Sequence, residues 1–285
     1  MSRILIVGSG DIGGGLAKSL AAKGHSVWGM RRSEAAIGDG VTTLSADVSD
    51  MESLIGKIPD ALDYVVYSIA SPEFSEEGYD LYYVHGLVHI LALLKQQHIH
   101  PKRVIFVSST STYPQHDGSW VDETTPAEPT AFAGRKMLEA ESKLAESDFA
   151  HTIVRFSGIY GPGRTRLINQ AKTGSHCDPE PELWTNRIHR DDCIGVLEFF
   201  IEQDLAGKSL DNLYIGTDCQ PTTLFEILEW LKDRISDVEP DHDVPEASRR
   251  GNKRLSNKRL LAAGYQFKYE HYQQGYDEIL TEMGY

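Results

Sequence analysis

No stretch of this chain stays apolar for the roughly 20 residues that a membrane helix requires, so no membrane partner is predicted. Cysteine is scarce: Cys177, Cys193 and Cys219 are the only three in 285 residues, far apart and odd in number. That pattern excludes a disulfide framework and predicts reduced thiols. Positive charge is in deficit. With 28 Lys and Arg against 42 Asp and Glu, the net charge is -14 and the isoelectric point is near 5.2. Nucleic acid is therefore not an expected partner, because binding a phosphate backbone rests on clustered cations. A basic stretch does occur at Arg249, Arg250, Lys253, Arg254, Lys258 and Arg259, interrupted by Asn, Ser and Gly. It reads as solvated helix surface, or else as the basic wall of a pocket for an anionic ligand. Repeats and low-complexity tracts are absent. The first strand signal begins at residue 4, which leaves no room for a signal peptide and predicts a soluble, cytoplasmic protein. A metal site is not expected either. Among eleven histidines, His85 and His89 have i, i+4 spacing, but Gly86 follows His85 where a helical zinc pair carries Glu, and no third ligand is recognisable.

What is present begins at Ile4-Leu5-Ile6-Val7, an apolar strand that runs into Gly8-Ser9-Gly10-Asp11-Ile12-Gly13 and then a helical stretch, Leu16 to Ala22. In a G-x-G-x-x-G turn the first glycine makes the bend, the second admits a pyrophosphate to the backbone, and the third lets the helix pack close to the strand. The phosphates sit on the helix N-terminus, where unpaired N–H groups and the dipole favour negative charge. Gly8, Gly10, Asp11, Ile12 and Gly13 are accordingly the first cofactor-binding candidates.

Further short, β-branched runs follow at Ser26 to Gly29, Val41 to Ser45, Tyr64 to Ile69, Val104 to Ser108 and Thr152 to Phe156, separated by helical spacers such as Leu81 to Gln97 and Phe132 to Glu146. This alternation predicts a doubly wound parallel α/β sheet of Rossmann type, with ligands beyond the carboxyl ends of the strands. After Phe156 the chain turns glycine- and proline-rich. Helices over Thr223 to Ile235, Ser256 to Ala263 and Tyr269 to Glu282 fall outside the alternation. The expected division is a dinucleotide-binding core over 1–156 and a small substrate lobe over most of 157–285. Residues 186–216, with a strand around Asn212 to Ile215, are expected to return to the core sheet.

Five landmarks stand in a recognisable order: the glycine turn, Ala46-Asp47 after a strand, Val107 to Pro114, Pro129 to Lys136, and Arg155 to Gly163. Arg187 to Asp192 and the ending Gly264 to Phe267 with Gly275-Tyr276 fit the same series. The set resembles the extended short-chain dehydrogenase/reductases, the NAD-dependent epimerase/dehydratase family, over nearly the whole chain. The G-x-G-x-x-G spacing resembles an atypical branch. The resemblance implies a Ser/Thr-Tyr-Lys set. The tyrosine moves a proton to or from a substrate oxygen, the lysine holds the ribose and lowers the tyrosine pKa, and the hydroxyl orients the substrate.

Thr110 matches the Ser/Thr position and Lys136 the lysine, but Phe132 stands where the tyrosine belongs, and no other Y-x-x-x-K occurs. A phenyl ring has no proton to transfer. Either another group supplies it, with Tyr113, Tyr160, Tyr82, Tyr83 and His85 as candidates, or the protein senses the cofactor without catalysis. Tyr113 and Tyr160 also read as packing residues with hydrogen-bonded hydroxyls, and Lys136 as a solvated lysine beside Glu139. Arg31 and Arg32 end the second strand where an acidic residue would mark NAD, and arginine suits a 2′-phosphate. NADP(H) is the expected cofactor, with NAD the alternative. Asp47 is expected at the adenine, or as a cap on a helix near Asp50. The resemblance implies a small-molecule substrate, a nucleotide-linked sugar or related carbonyl or hydroxyl compound, with Arg164, Arg166 and Arg187 available to an anion. Members of the resembled family commonly dimerise through helices on the sheet's flank, so the apolar faces of Leu81 to Gln97 and Phe132 to Glu146 read either as a homodimer contact or as packing on the sheet.

Overall fold

A computed structural model describes residues 1–236, 238–240, 242–243 and 251–285. The chain divides into two compact units: Met1–Thr112, Ala127–Arg155 and Ile194–Tyr214 form the first, and Tyr113–Pro126, Phe156–Cys193 and Ile215–Tyr285 the second.

The first unit is built on strands β1 (Arg3–Val7), β2 (Ser26–Arg31), β3 (Val41–Ser45), β4 (Tyr64–Tyr67) and β5 (Arg103–Ser109). With the strands His151–Phe156 and Leu213–Gly216 they make one seven-stranded sheet, ordered Leu213–Gly216, His151–Phe156, β5, β4, β1, β2, β3. The pairs β1 with β2, β1 with β4, β2 with β3, and β4 with β5 are all parallel. Ile4, Leu5, Ile6 and Val7 are wholly buried, as the central strand of a sheet covered on both faces must be. The helices that flank it are α1 (Asp11–Ala22), α2 (Met51–Leu54), α3 (Glu76–Tyr79), α4 (Gly86–Gln96) and α5 (Phe132–Ala145). Leu87, Ile90 and Leu94 of α4 and Met137, Ala140 and Leu144 of α5 pack with Val65, Val104 and Phe106 of the sheet. This is the doubly wound architecture expected from the alternation.

Two elements differ from expectation in instructive ways. Helix α1 starts five residues before Leu16, running through three glycines that are poor helix formers. Packing explains two of them: a Cβ on Gly13 would lie 2.3 Å from Gly8 O, and one on Gly15 would lie 2.4 Å from Ile194 Cδ1. Leu81 to Gln97 is not one α-helix. Residues Asp80–His85 form a π-helical turn between α3 and α4, a feature that frequently accompanies functional sites. The hydroxyl of Tyr67 donates to Tyr82 O within this turn at 2.5 Å.

In the second unit, Ile168, Ile227, Leu228, Leu231, Tyr276 and Ile279 form a separate apolar core. Thr223 and Glu226 close a reciprocal capping box at the start of the helix Leu224–Lys232. The strands Gly158–Tyr160 and Arg187–His189 pair in parallel, as do Trp120–Val121 and Arg254–Leu255. The basic stretch is thus not continuous helix surface. Lys253 and Arg254 lie in extended chain because Arg254–Leu255 is paired, and the helix begins only at Lys258. Arg249 and Arg250 lie outside the described residues. Cys177 and Cys193 are buried, Cys219 is exposed, and all three are free thiols. No helix of the described residues is long and apolar enough to cross a membrane.

Candidate functional site

The glycine turn is shaped as its spacing requires. Gly8 adopts φ +93, and a Cβ there would meet Ser68 O at 2.5 Å, so only glycine makes the bend. The Gly8 and Ser9 amides both donate to Met30 O, at 3.0 and 2.9 Å, which ties the turn to the end of β2. Gly10 is exposed and has open space where a side chain would be. It is the N-cap of α1 and supplies no side-chain hydrogen bond. The first-turn N–H groups of Asp11, Ile12 and Gly13 have no intrahelical acceptor. This open cradle fits a dinucleotide pyrophosphate, which needs bare backbone at a helix N-terminus.

Residues at the ends of the next two strands were expected to read the adenosine half. The Arg31 guanidinium, at the end of β2, has no hydrogen-bond or ion-pair partner among the described residues. Arg32 stacks over the Tyr82 ring at 5.7 Å and donates to its hydroxyl at 3.4 Å. Asp47 accepts from the amide and hydroxyl of Ser49, at 3.0 and 2.7 Å. It is not the cap of the following helix. Asp50 takes that place, accepting from Glu52 N at 3.0 Å.

Thr110, Phe132 and Lys136 come from a short 3-10 turn, Thr110–Thr112, and from the first turns of α5. These elements meet closely: a Cβ on Gly134 would lie 2.4 Å from Ser111 O. A buried ion pair fixes α5 over the sheet. Arg155 donates Nε and Nη2 to Glu141 at 2.9 and 2.5 Å, and Ser108 Oγ donates to the same carboxylate at 2.5 Å. Glu141 gave no signal in the sequence beyond its place on a helix.

The Phe132 ring lies in an aromatic cluster, 5.1 Å from Phe74 and 5.5 Å edge-on to Tyr79, with Tyr79 in turn 4.9 Å from Tyr83. Four residues on, Lys136 Nζ contacts Asp80 Oδ1 at 2.7 Å and Glu139 Oε2 at 2.9 Å. The hydrogen bond to Asp80, then that to Glu139, raises the Lys136 pKa above the ordinary lysine value, and the same ammonium lowers that of Asp80. The other Asp80 oxygen lies 3.1 Å from His85 Nε2. Asp80 went unnoticed in the sequence because nothing in its spacing marks a π-helical turn.

The remaining proton-donor candidates are dispersed. Tyr82 is engaged by Arg32, as above, and the Tyr83 hydroxyl accepts from Ser71 N at 3.3 Å. His89 reaches Val48 O at 2.8 Å, and its ring lies 6.5 Å from that of His85. In the second unit Tyr113 and Tyr160 are buried, at 2% and 3% exposure. Tyr160 stacks on Tyr276 at 4.5 Å, and its hydroxyl has no hydrogen-bond partner among the described residues. Burial raises its pKa well above the usual phenol value. Asp192, wholly buried, accepts from the Tyr265 hydroxyl and from the amides of Lys268 and Tyr269 at 2.8 to 3.0 Å. That gives the Arg187 to Asp192 segment a structural purpose.

A sequence model of the NAD dependent epimerase/dehydratase family matches residues 4–205. The chain belongs to this family. Similarity extends to the whole length of a solved Methylobacillus flagellatus structure described as an NAD-dependent epimerase/dehydratase. That structure is 43% identical, has a TM-score of 0.83, and the match covers 99% of this chain and 98% of that one. Protein YeeZ of Escherichia coli K12 is 30% identical over 221 residues, 73% of this chain and 76% of its own length. At 18% identity and TM-score 0.77, the Thermus thermophilus UDP-glucose 4-epimerase in complex with NAD shares the fold over 98% of both chains.

Proposed function

We propose that this epimerase/dehydratase family member is an oxidoreductase or epimerase of non-standard active site, using NADP(H) and acting on a hydroxyl or carbonyl carbon of a nucleotide-linked sugar. The open glycine cradle carries the cofactor half of the reading, together with the family membership. When bound, the nicotinamide supplies a hydride acceptor or donor. Gly8, Gly10 and Gly13 leave the backbone bare for its phosphates. Thr110 offers a hydroxyl to hold the substrate oxygen, and Lys136 an ammonium for the ribose, released in part from Asp80 and Glu139. Phe132 moves no proton, so the proton must come from another group.

The sugar is favoured because distant relatives of the same fold, such as the T. thermophilus protein, are UDP-glucose epimerases. Dimerisation through α4 and α5 belongs to the same proposal, as does NADP(H). For the cofactor the supporting observation is Arg31, at the end of β2 with no charged partner among the described residues. Fluorescence titration is expected to give tighter binding of NADPH than NADH. Arg31→Ala is expected to weaken NADPH about 10-fold or more and leave NADH nearly unchanged, since it removes a charge-assisted phosphate contact. Tighter NADH binding by the native protein would overturn the preference.

A second reading is favoured by one observation: Lys136 is already satisfied by two carboxylates, beside a phenyl ring. On that reading the protein binds the cofactor and reports its state without turnover. Calorimetry separates the two. Binding of UDP-glucose that strengthens when cofactor is present supports the enzyme, whereas cofactor binding alone supports the sensor.

A further inference from the structure

The Asp80–Lys136 pair has more hydrogen-bonding capacity than its protein partners use. An ammonium carries three donors, and Lys136 gives two of them to Asp80 and Glu139, at 2.7 and 2.9 Å. The third has no acceptor among the described residues. An ionised carboxylate offers about four acceptor positions. Asp80 turns one towards Lys136 and one towards His85 Nε2, 3.1 Å away. The Lys136 ammonium holds Asp80 below the ordinary carboxylate range, so it stays ionised and acts as an acceptor only. Neither side chain is sealed in: Lys136 is 20% exposed and Asp80 32%.

Both members of the pair are fixed by their elements. Lys136 projects from the first turns of α5, and Asp80 opens the π-helical turn Asp80–His85. The Tyr67 hydroxyl ties that turn down through Tyr82 O at 2.5 Å, and it lies against Gly86 just beyond, where a Cβ would clash. A second ion pair, Arg135 Nη2 with Glu76 Oε1 at 3.1 Å, joins α5 to α3 immediately before the turn. Tyr79, the residue preceding Asp80, packs edge-on to Phe132 at 5.5 Å, and Phe74, 62% exposed, lies 5.1 Å from the same ring. An acceptor and a donor held side by side suit a vicinal diol, in which one hydroxyl donates to the carboxylate while its neighbour accepts from the ammonium.

We propose that Asp80 is a cofactor-binding residue: its carboxylate accepts a hydrogen bond from one hydroxyl of the nicotinamide ribose, while Lys136 donates to the neighbouring one. This rests on the cofactor reading above, in which Lys136 meets the ribose. In NADPH the 2′-phosphate occupies one position of the adenosine diol, so the nicotinamide ribose carries the only vicinal diol of that cofactor.

The test uses the full-length chain and its Asp80→Ala, Asp80→Asn and Glu76→Gln variants. NADPH is titrated by fluorescence, and UDP-glucose and adenosine 2′,5′-bisphosphate, the latter without a vicinal diol, by calorimetry. Asp80→Ala is expected to weaken NADPH about 10-fold, the loss of a hydrogen bond to a charged group, and to leave the bisphosphate within about two-fold. Asp80→Asn, which keeps one acceptor oxygen, is expected to lose less. Glu76→Gln removes the charge of the other ion pair and should leave both ligands within about two-fold. Asp80→Ala should weaken NADPH in a Lys136→Met background as well, and no further loss there overturns the direct contact, because Asp80 then acts only through Lys136. Equal weakening of NADPH and the bisphosphate, or the same loss from Glu76→Gln, reduces Asp80 to a structural role and overturns the proposal. NADPH binding unchanged in Asp80→Ala overturns it while leaving the cofactor reading standing, and weaker UDP-glucose binding in that case assigns the diol to a sugar. No binding of NADPH by the native chain overturns the cofactor reading and the proposal with it.

Discussion

On the proposed reading, the absence of one oxygen atom at Phe132 decides what Thr110 and Lys136 are able to do. Its ring lies in an aromatic cluster with Phe74 and Tyr79, and on that reading Thr110 and Lys136 are left without the phenol that the family resemblance implies. The sequence shows Phe132 as a departure from the Y-x-x-x-K spacing of the resembled family, because Lys136 stands four residues on. The ion pair from Lys136 to Asp80 was not legible there, since it depends on a π-helical turn that no periodicity announces. Asp218 is a second residue set by its surroundings. It is 1% exposed, one carboxylate oxygen has no hydrogen-bond partner among the described residues, and burial pushes its pKa up to about 7. A carboxyl raised above its unfolded value holds its proton in the folded state. Its stability contribution is therefore present below about pH 4 and is lost as pH rises towards 7. Asp218→Asn removes this titration. The melting temperature of the variant minus that of the native chain should rise by about 5 °C between pH 5 and pH 8. Calorimetric scans giving a constant difference would refute it.

Among the elements, α5 carries Phe132 and Lys136, and its placement rests on Glu141. The pair with Arg155 is buried at both ends, at 5% and 4% exposure. Removing one partner of such a pair leaves an unpaired buried charge and typically costs about 3–5 kcal/mol. Glu141→Ala is expected to lose stability of that order in urea denaturation, and a loss below about 1 kcal/mol would contradict this account of α5. The strands and helices of the first unit were readable from short β-branched runs and apolar spacers, because a parallel sheet buries both faces of each strand. Helix ends were less so. The start of α1 was hidden by glycines that close packing, not propensity, places there. The extended segment at Lys253 was hidden by a charge pattern that resembles a solvated helix, and its pairing with Trp120–Val121 is a long-range contact that composition does not report.

For the whole molecule, the order of landmarks along the chain carried more than any single motif. A glycine turn alone is common, but followed by Asp47, the Thr110 turn, Lys136 and the Arg187 to Asp192 segment it identified the family, and the sheet order agrees. What the chain acts on was not legible, because after Phe156 the sequence loses the strand-helix alternation that made the first unit readable. On the proposed function, nicotinamide chemistry proceeds here without the tyrosine. This is tested most directly by incubating the native chain and Phe132→Tyr with deuterium-labelled NADPH and a panel of nucleotide sugars and small carbonyl compounds, and following the label by mass spectrometry. Transfer by the native chain is expected, with Phe132→Tyr changing its rate or pH dependence. Binding of NADPH with no label transferred by the native chain, and transfer appearing only in Phe132→Tyr, would contradict it.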